Sequence, residues 1–101
     1  MSYKVFYTDT MIEQIQDQIQ HLRKERVSGA TIDGWFARLF DAVDSLYEWP
    51  LRHPVAEAES ASRGFEIRKL NFENYLIHYR VNESTKVVEV LSFRHAARQP
   101  E

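Results

Sequence analysis

The residues best suited to chemistry gather in the last third of the sequence. His95 sits in FRHAARQP, at the end of a strand-like run, with Arg94 beside it and Arg98 three residues further on. A histidine among arginines can act as general acid or base on a phosphodiester, while guanidinium groups hold the phosphate and stabilise transition-state charge. The same placement also suits a histidine that caps a strand end, and a lone histidine is more often that. His78 alternates with Leu76 and Arg80 in another strand-like run and reads as a packed or cross-strand partner rather than a catalyst. His21 and His53 have no neighbours that suggest function. The four histidines lack i,i+4 or similar ligand spacing, so neither a metal site nor a cofactor is expected.

Charge points to the same region. The chain has 13 basic and 15 acidic residues, net −2, but they are unevenly divided. Residues 1–62 carry six basic and ten acidic groups, net −4, and residues 63–101 carry seven and five, net +2. Arg68, Arg80 and Arg94 fall on three successive strand-like runs. Same-face residues on adjacent antiparallel strands lie about 5 Å apart, so these arginines are candidates to converge on one face. Clustered like charge is costly unless an anionic partner compensates it. The blander alternative is that each arginine solvates an exposed strand position.

Other chemistries are excluded. The absence of cysteine removes disulfides, thiol catalysis and cysteine-ligated zinc or iron–sulfur centres. There is no glycine-rich phosphate loop and no G-x-S-x-G elbow. No apolar run approaches the ~20 residues that cross a bilayer, and the N-terminus lacks a signal-peptide core. A cytoplasmic protein without membrane contact is expected. With 101 residues, of which 44% are apolar and 13% aromatic, the chain suits one domain spanning residues 1–101 with a real core.

The elements that must position these residues follow from periodicity. Tyr3–Tyr7 reads as a strand. Thr10 and Glu13 fit a capping box, and Met11, Ile12, Ile15, Ile19 and Leu22 form the stripe of an amphipathic helix, with Gly29 as its C′ residue. A second helix is predicted from Thr31 to about Trp49, stopped by Pro50. Residues 50–63 lose periodicity and read as a surface loop. Phe65–Leu70, Tyr75–Val81 and Lys86–Phe93 then alternate with period two, separated by turns at Asn71–Asn74 and Asn82–Thr85. The order β-α-α-β-β-β predicts an α+β fold. An antiparallel helical hairpin packs on a mostly antiparallel sheet of about four strands, with the N-terminal strand at its edge.

The wording FEIRKL, NYLIHYRV and VVEVLSFRHAARQP resembles the RelE/ParE superfamily, the toxins of bacterial type II toxin–antitoxin modules often labelled plasmid stabilisation proteins. The order of elements resembles that family over nearly the whole chain. RelE-like members are ribosome-dependent endonucleases that cut mRNA, and ParE-like members poison DNA gyrase without catalytic chemistry of their own. In the nuclease branch two lysines often stand where this chain has Glu66 and Arg68, and a second-strand arginine stands where it has Leu76. No tyrosine follows His95. A nuclease built here would have to use His95 with Arg68, Arg80 and Arg94. Leu76 and the H-x-A-R wording favour the ParE-like branch, in which no catalytic residue is expected. Ala96 departs from the glycine often found there. An acidic chain is also poorly suited to ribosomal RNA, where each phosphate contact needs a cation.

The resemblance implies a cognate antitoxin as partner. Its extended segment and short helix would cover apolar grooves by the hairpin and the charged positions Arg68, Arg80, Arg94, His95 and Arg98. DNA gyrase is the implied target, with the ribosome and mRNA as the alternative. An inactive antitoxin-binding member is a third reading, and DNA would be met only indirectly, through the antitoxin.

Overall fold

Thr8, rather than Thr10, opens the first helix. Its extended backbone (φ −68°, ψ 159°) places Oγ1 to accept from the Met11 N–H at 3.3 Å, which satisfies one of the orphan donors of a helix start. The same hydroxyl donates to the Val90 carbonyl at 2.8 Å, so the cap also ties helix to sheet. The computed structural model describes residues 2–96. Within it α1 spans Asp9–Lys24 and buries Met11 and Ile15. The helix ends at Glu25, followed by Arg26 at φ 62°. Gly29, expected to close this helix, instead begins the next.

The second helix, α2, spans Gly29–Asp44, capped by Ser28 Oγ accepting from the Thr31 N–H at 3.2 Å. It turns Ile32, Trp35, Leu39 and Val43 inward at helical spacing. Pro50 does not stop it. The α-helix yields at Asp44 to a 3₁₀ turn over Ser45–Tyr47, where the Ser45 hydroxyl takes the Ala42 carbonyl at 2.6 Å and so competes with the helical ladder.

Residues 50–63 are not the plain loop that their pattern suggests. They hold a 3₁₀ turn at Pro50–Arg52 and a short helix α3, Glu57–Arg63, ended by Gly64 in the left-handed region at φ 79°. No residue of α3 is buried, so it carries no apolar stripe for periodicity to reveal. Its anchor is polar: the Ile67 N–H donates to Ser60 Oγ at 2.7 Å, that hydroxyl donates to the Ile67 carbonyl at 3.2 Å, and the Ala56 N–H donates to the same carbonyl at 2.7 Å.

The sheet has the order β1-β4-β3-β2, built from β1 (Lys4–Tyr7), β2 (Arg68–Phe72), β3 (Tyr75–Asn82) and β4 (Val87–His95). The last three form an antiparallel meander, and β1 pairs with β4 in parallel. β2 runs two residues beyond the expected Leu70, leaving only Glu73 and Asn74 to turn, with Glu73 at φ 52°. Phe72 explains the extension, because it is 8% exposed and its ring lies 6.4 Å from Trp35. The core sits between the helical hairpin and one sheet face. Met11, Trp35, Leu39 and Val43 meet Ile77, Tyr79, Val88, Val90 and Phe93 there. Trp35 stands 5.6 Å from Tyr75 and 5.8 Å from Phe93, the tilted contacts that aromatic quadrupoles favour. The expected α+β architecture is present, with α3 added near the opposite face.

Candidate functional site

A bulge in β4 decides which side chains reach that opposite, outer face. His78 pairs with Ser92 but its neighbour Tyr79 pairs with Val90, so Leu91 is an extra residue with no partner on β3. The insertion reverses the alternation. Val88 and Val90 face the core before it and Phe93 faces the core after it, while Glu89, Ser92 and Arg94 share the outer face with Arg80, His78 and Leu76. The signal was present in the sequence, since the buried positions 88, 90 and 93 break period two. Treating VVEVLSF as one regular strand misses it.

His78 and Ser92 are the residues this geometry brings forward. His78 is a packed cross-strand residue, 3% exposed, with Nδ1 3.3 Å from Ser92 Oγ. Its Nε2 is buried without a hydrogen-bond partner among the described residues. Burial holds the imidazole below its ordinary pKa; Glu59 opposes that shift, and Arg94 and Lys69 reinforce it. His78, Ser92, Glu59 and Arg94 border a groove of about 690 Å³ between the first turn of α1, α3 and the bulged strand.

The expected arginine cluster does not form. Arg68 lies opposite Tyr79 and therefore shares the hairpin-covered face. There its Nη1 donates to the carbonyls of Leu51 at 3.1 Å and His53 at 2.6 Å, and its Nη2 lies 3.2 Å from Glu66. Arg80 and Arg94 share the outer face, but they pair with Glu89 and Leu76 respectively. That spacing of four β3 residues separates them by ~13 Å along the sheet. Arg80 is neutralised by Glu89 at 3.5 Å and lies 4.3 Å over the Phe65 ring. His95 lies opposite Tyr75, its ring 5.3 Å away, on the hairpin side rather than beside Arg94. The candidate nuclease set His95, Arg68, Arg80 and Arg94 is thus divided between two faces. Arg98 lies outside the described residues.

Two apolar surfaces flank this sheet. One is a groove of about 490 Å³ between α1 and α2, walled by Tyr7, Ile12, Ile19, Phe36 and Phe40. The other is a ledge of Tyr47, Trp49 and Leu51, with Trp49 66% exposed. Among the described residues no group of three or more His, Asp or Glu can hold a metal, and no helix is long and apolar enough to cross a membrane.

Two solved structures share the fold. The toxin–antitoxin complex RelBE2 from Mycobacterium tuberculosis matches with a TM-score of 0.62 at 19% identity, covering 94% of this chain and 99% of that one. The archaeal RelE–RelB complex from Pyrococcus horikoshii matches with a TM-score of 0.60 at 16% identity, covering 98% and 100%. No curated protein matches the sequence significantly. The profile of the ParE toxin of the type II toxin–antitoxin system parDE matches residues 5–100. The chain belongs to the ParE toxin family of type II toxin–antitoxin systems.

Proposed function

We propose that this toxin acts by binding DNA gyrase rather than by cutting mRNA, and that a cognate antitoxin neutralises it. The observation that carries the reading is the pair Leu76 and Arg94, opposite each other on the outer face. A phosphodiester clamp at this position needs two cations, and Leu76 offers a buried apolar side chain instead, 8% exposed. Arg68 and Arg80, which would have to complete the clamp, are each paired with a glutamate. His95 is turned to the other face. Among the described residues the nuclease set is therefore divided, and its histidine does not stand on the same face as Arg94.

The antitoxin would lay an amphipathic helix in the α1/α2 groove, where apolar residues at i, i+3 and i+4 fit such a surface. A separate acidic stretch, on the outer face of the sheet, would meet Arg80 and Arg94 there, and not Arg68, which is enclosed.

The test is a supercoiling assay with purified gyrase and the full chain. Inhibition that the co-purified antitoxin relieves, and that His95→Ala leaves intact, is the expected result. Unchanged supercoiling, together with mRNA cleavage that His95→Ala abolishes, would overturn the reading.

A further inference from the structure

We propose that β1 is a self-pairing edge: two copies of this chain join their β1 strands antiparallel about a two-fold axis at Phe6, forming one continuous sheet. This reading does not depend on the choice of gyrase as target.

The two edges of the sheet are finished differently. The β2 edge is closed within the chain: Val55 bridges Arg68, the Lys69 N–H donates to the Pro54 carbonyl at 3.0 Å, and the Ala56 N–H donates to the Ile67 carbonyl at 2.7 Å. The β1 edge has such cover only at Tyr3, whose N–H donates to the Tyr47 carbonyl at 2.7 Å. The Lys4 and Thr8 N–H groups donate to the Lys86 and Val90 carbonyls of β4 at 2.9 and 3.2 Å. Strand alternation therefore turns the N–H and C=O groups of Val5 and Tyr7 away from the sheet. Among the described residues nothing pairs with them. An open edge of this kind is a template for another strand. It also carries an exposed aromatic ring, since Phe6 lies beside Glu89 on the outer face and is 53% exposed.

Val5 and Tyr7 stand symmetrically about Phe6, and that symmetry selects the occupant. A two-fold axis at Phe6 sets Val5 of each copy opposite Tyr7 of the other, and each of these pairs exchanges both backbone bonds. Every donor and acceptor that Val5 and Tyr7 leave open is then used, while Tyr3, already satisfied, stays outside the pairing. Phe6 meets its own counterpart at the axis. The two form a non-hydrogen-bonded pair with Cα atoms about 4.5 Å apart, a spacing at which aromatic cross-strand pairs stabilise a sheet. The charges agree with this register. Lys4 and Asp9 are exposed, and neither has an ion-pair partner among the described residues. In the pairing Lys4 lies opposite Thr8 of the second copy, next to that copy's Asp9, so opposite charges meet at both ends of the interface. Backbone groups alone would accept any extended segment; Phe6 against Phe6 and Lys4 beside Asp9 single out a second copy of this chain.

The experiment is sedimentation velocity of the full-length protein over a concentration series, with amide hydrogen exchange at both ends of the series. One short strand makes a small interface, so a dimer dissociating at about 10–100 µM is expected. The Val5 and Tyr7 amides should slow as concentration rises, whereas those of Lys4 and Thr8, bonded to β4 in either state, should not change. Phe6→Lys should weaken the dimer about tenfold, because like charges then face each other across the axis. Phe6 is exposed, so the melting temperature of the dilute variant should stay that of the dilute parent. Val5→Pro removes an outward N–H without touching a bond to β4 and should also abolish the dimer. A monomer up to about 1 mM, a dimer whose Val5 and Tyr7 amides exchange freely, or a dimer that Phe6→Lys leaves intact overturns the proposal. Protection of those amides only when antitoxin is added assigns the edge to the antitoxin and overturns it equally.

Discussion

Arg68 and Tyr79 stand opposite each other on β2 and β3, and both reach across the hairpin face to hold the segment after α2. The Tyr79 hydroxyl donates to the Pro50 carbonyl, and the Arg68 guanidinium donates to those of Leu51 and His53. Burial pushes the Tyr79 phenol up to about 12, so it remains a donor at any physiological pH. An arginine that looks available for binding is instead a strut, with its side chain only 17% exposed.

Arg68→Met should therefore lower unfolding stability by about 1–2 kcal/mol, because it removes charged hydrogen bonds to the Leu51 carbonyl and to the partly buried His53 carbonyl. Urea denaturation of the free toxin measures this. A shift below about 0.5 kcal/mol would show that the carbonyls are satisfied without the arginine.

Arg80 should behave differently. Its pair with Glu89 is about one-third exposed on each side, and such pairs contribute about 0.2–1 kcal/mol. A double-mutant cycle over Arg80→Ala and Glu89→Ala should give a coupling of about 0.5 kcal/mol that shrinks in high salt.

The bulge can be tested by length. Leu91→Ala keeps the register and should cost about 1 kcal/mol. Deleting Leu91 either turns Phe93, 3% exposed in the core, to the outer face or breaks the pairing beyond it. Misplacing a buried aromatic costs about 3–5 kcal/mol, a large share of the 5–15 kcal/mol typical of a domain. Loss of a cooperative thermal transition in the deletion, but not in Leu91→Ala, is the expected outcome.

Stability should fall as pH drops below about 7. Burial lowers the pKa of both His53 and His78 from the ordinary 6.5; Arg52 and Arg68 add to the effect at His53. Below 6.5 the unfolded chain takes up protons that the folded chain refuses, so the unfolded state gains. The slope ends once pH passes below the folded values. Melting temperatures taken in half-unit steps should show the decline, and His78→Asn should flatten it.

The helical hairpin and the meander were legible because each turns one apolar face to the core, which writes a period of 3.6 or 2 into the residues. Ile32, Trp35, Leu39 and Val43 show it in α2, and Ile77, Tyr79 and Val81 in β3. α3 was not legible, since it is held by the hydroxyl of Ser60 against the backbone of Ile67 and buries nothing of its own. Local wording also misplaced the caps: Thr10 fits a capping box as well as Thr8 fits a cap, and the bond from Thr8 to the Val90 carbonyl favours Thr8.

The ParE-type wording, the excess of positive charge in the last third and the α+β order of elements belong to the sequence alone, because composition and periodicity are properties of neighbours along the chain. Which arginines face one another is not such a property. It depends on register between strands and on a single unpaired residue, Leu91. One position of slip moves a side chain to the other side of the sheet. That is why Arg68 became a strut and Arg80 half of an ion pair, while Arg94 came to border a groove with His78 and Ser92.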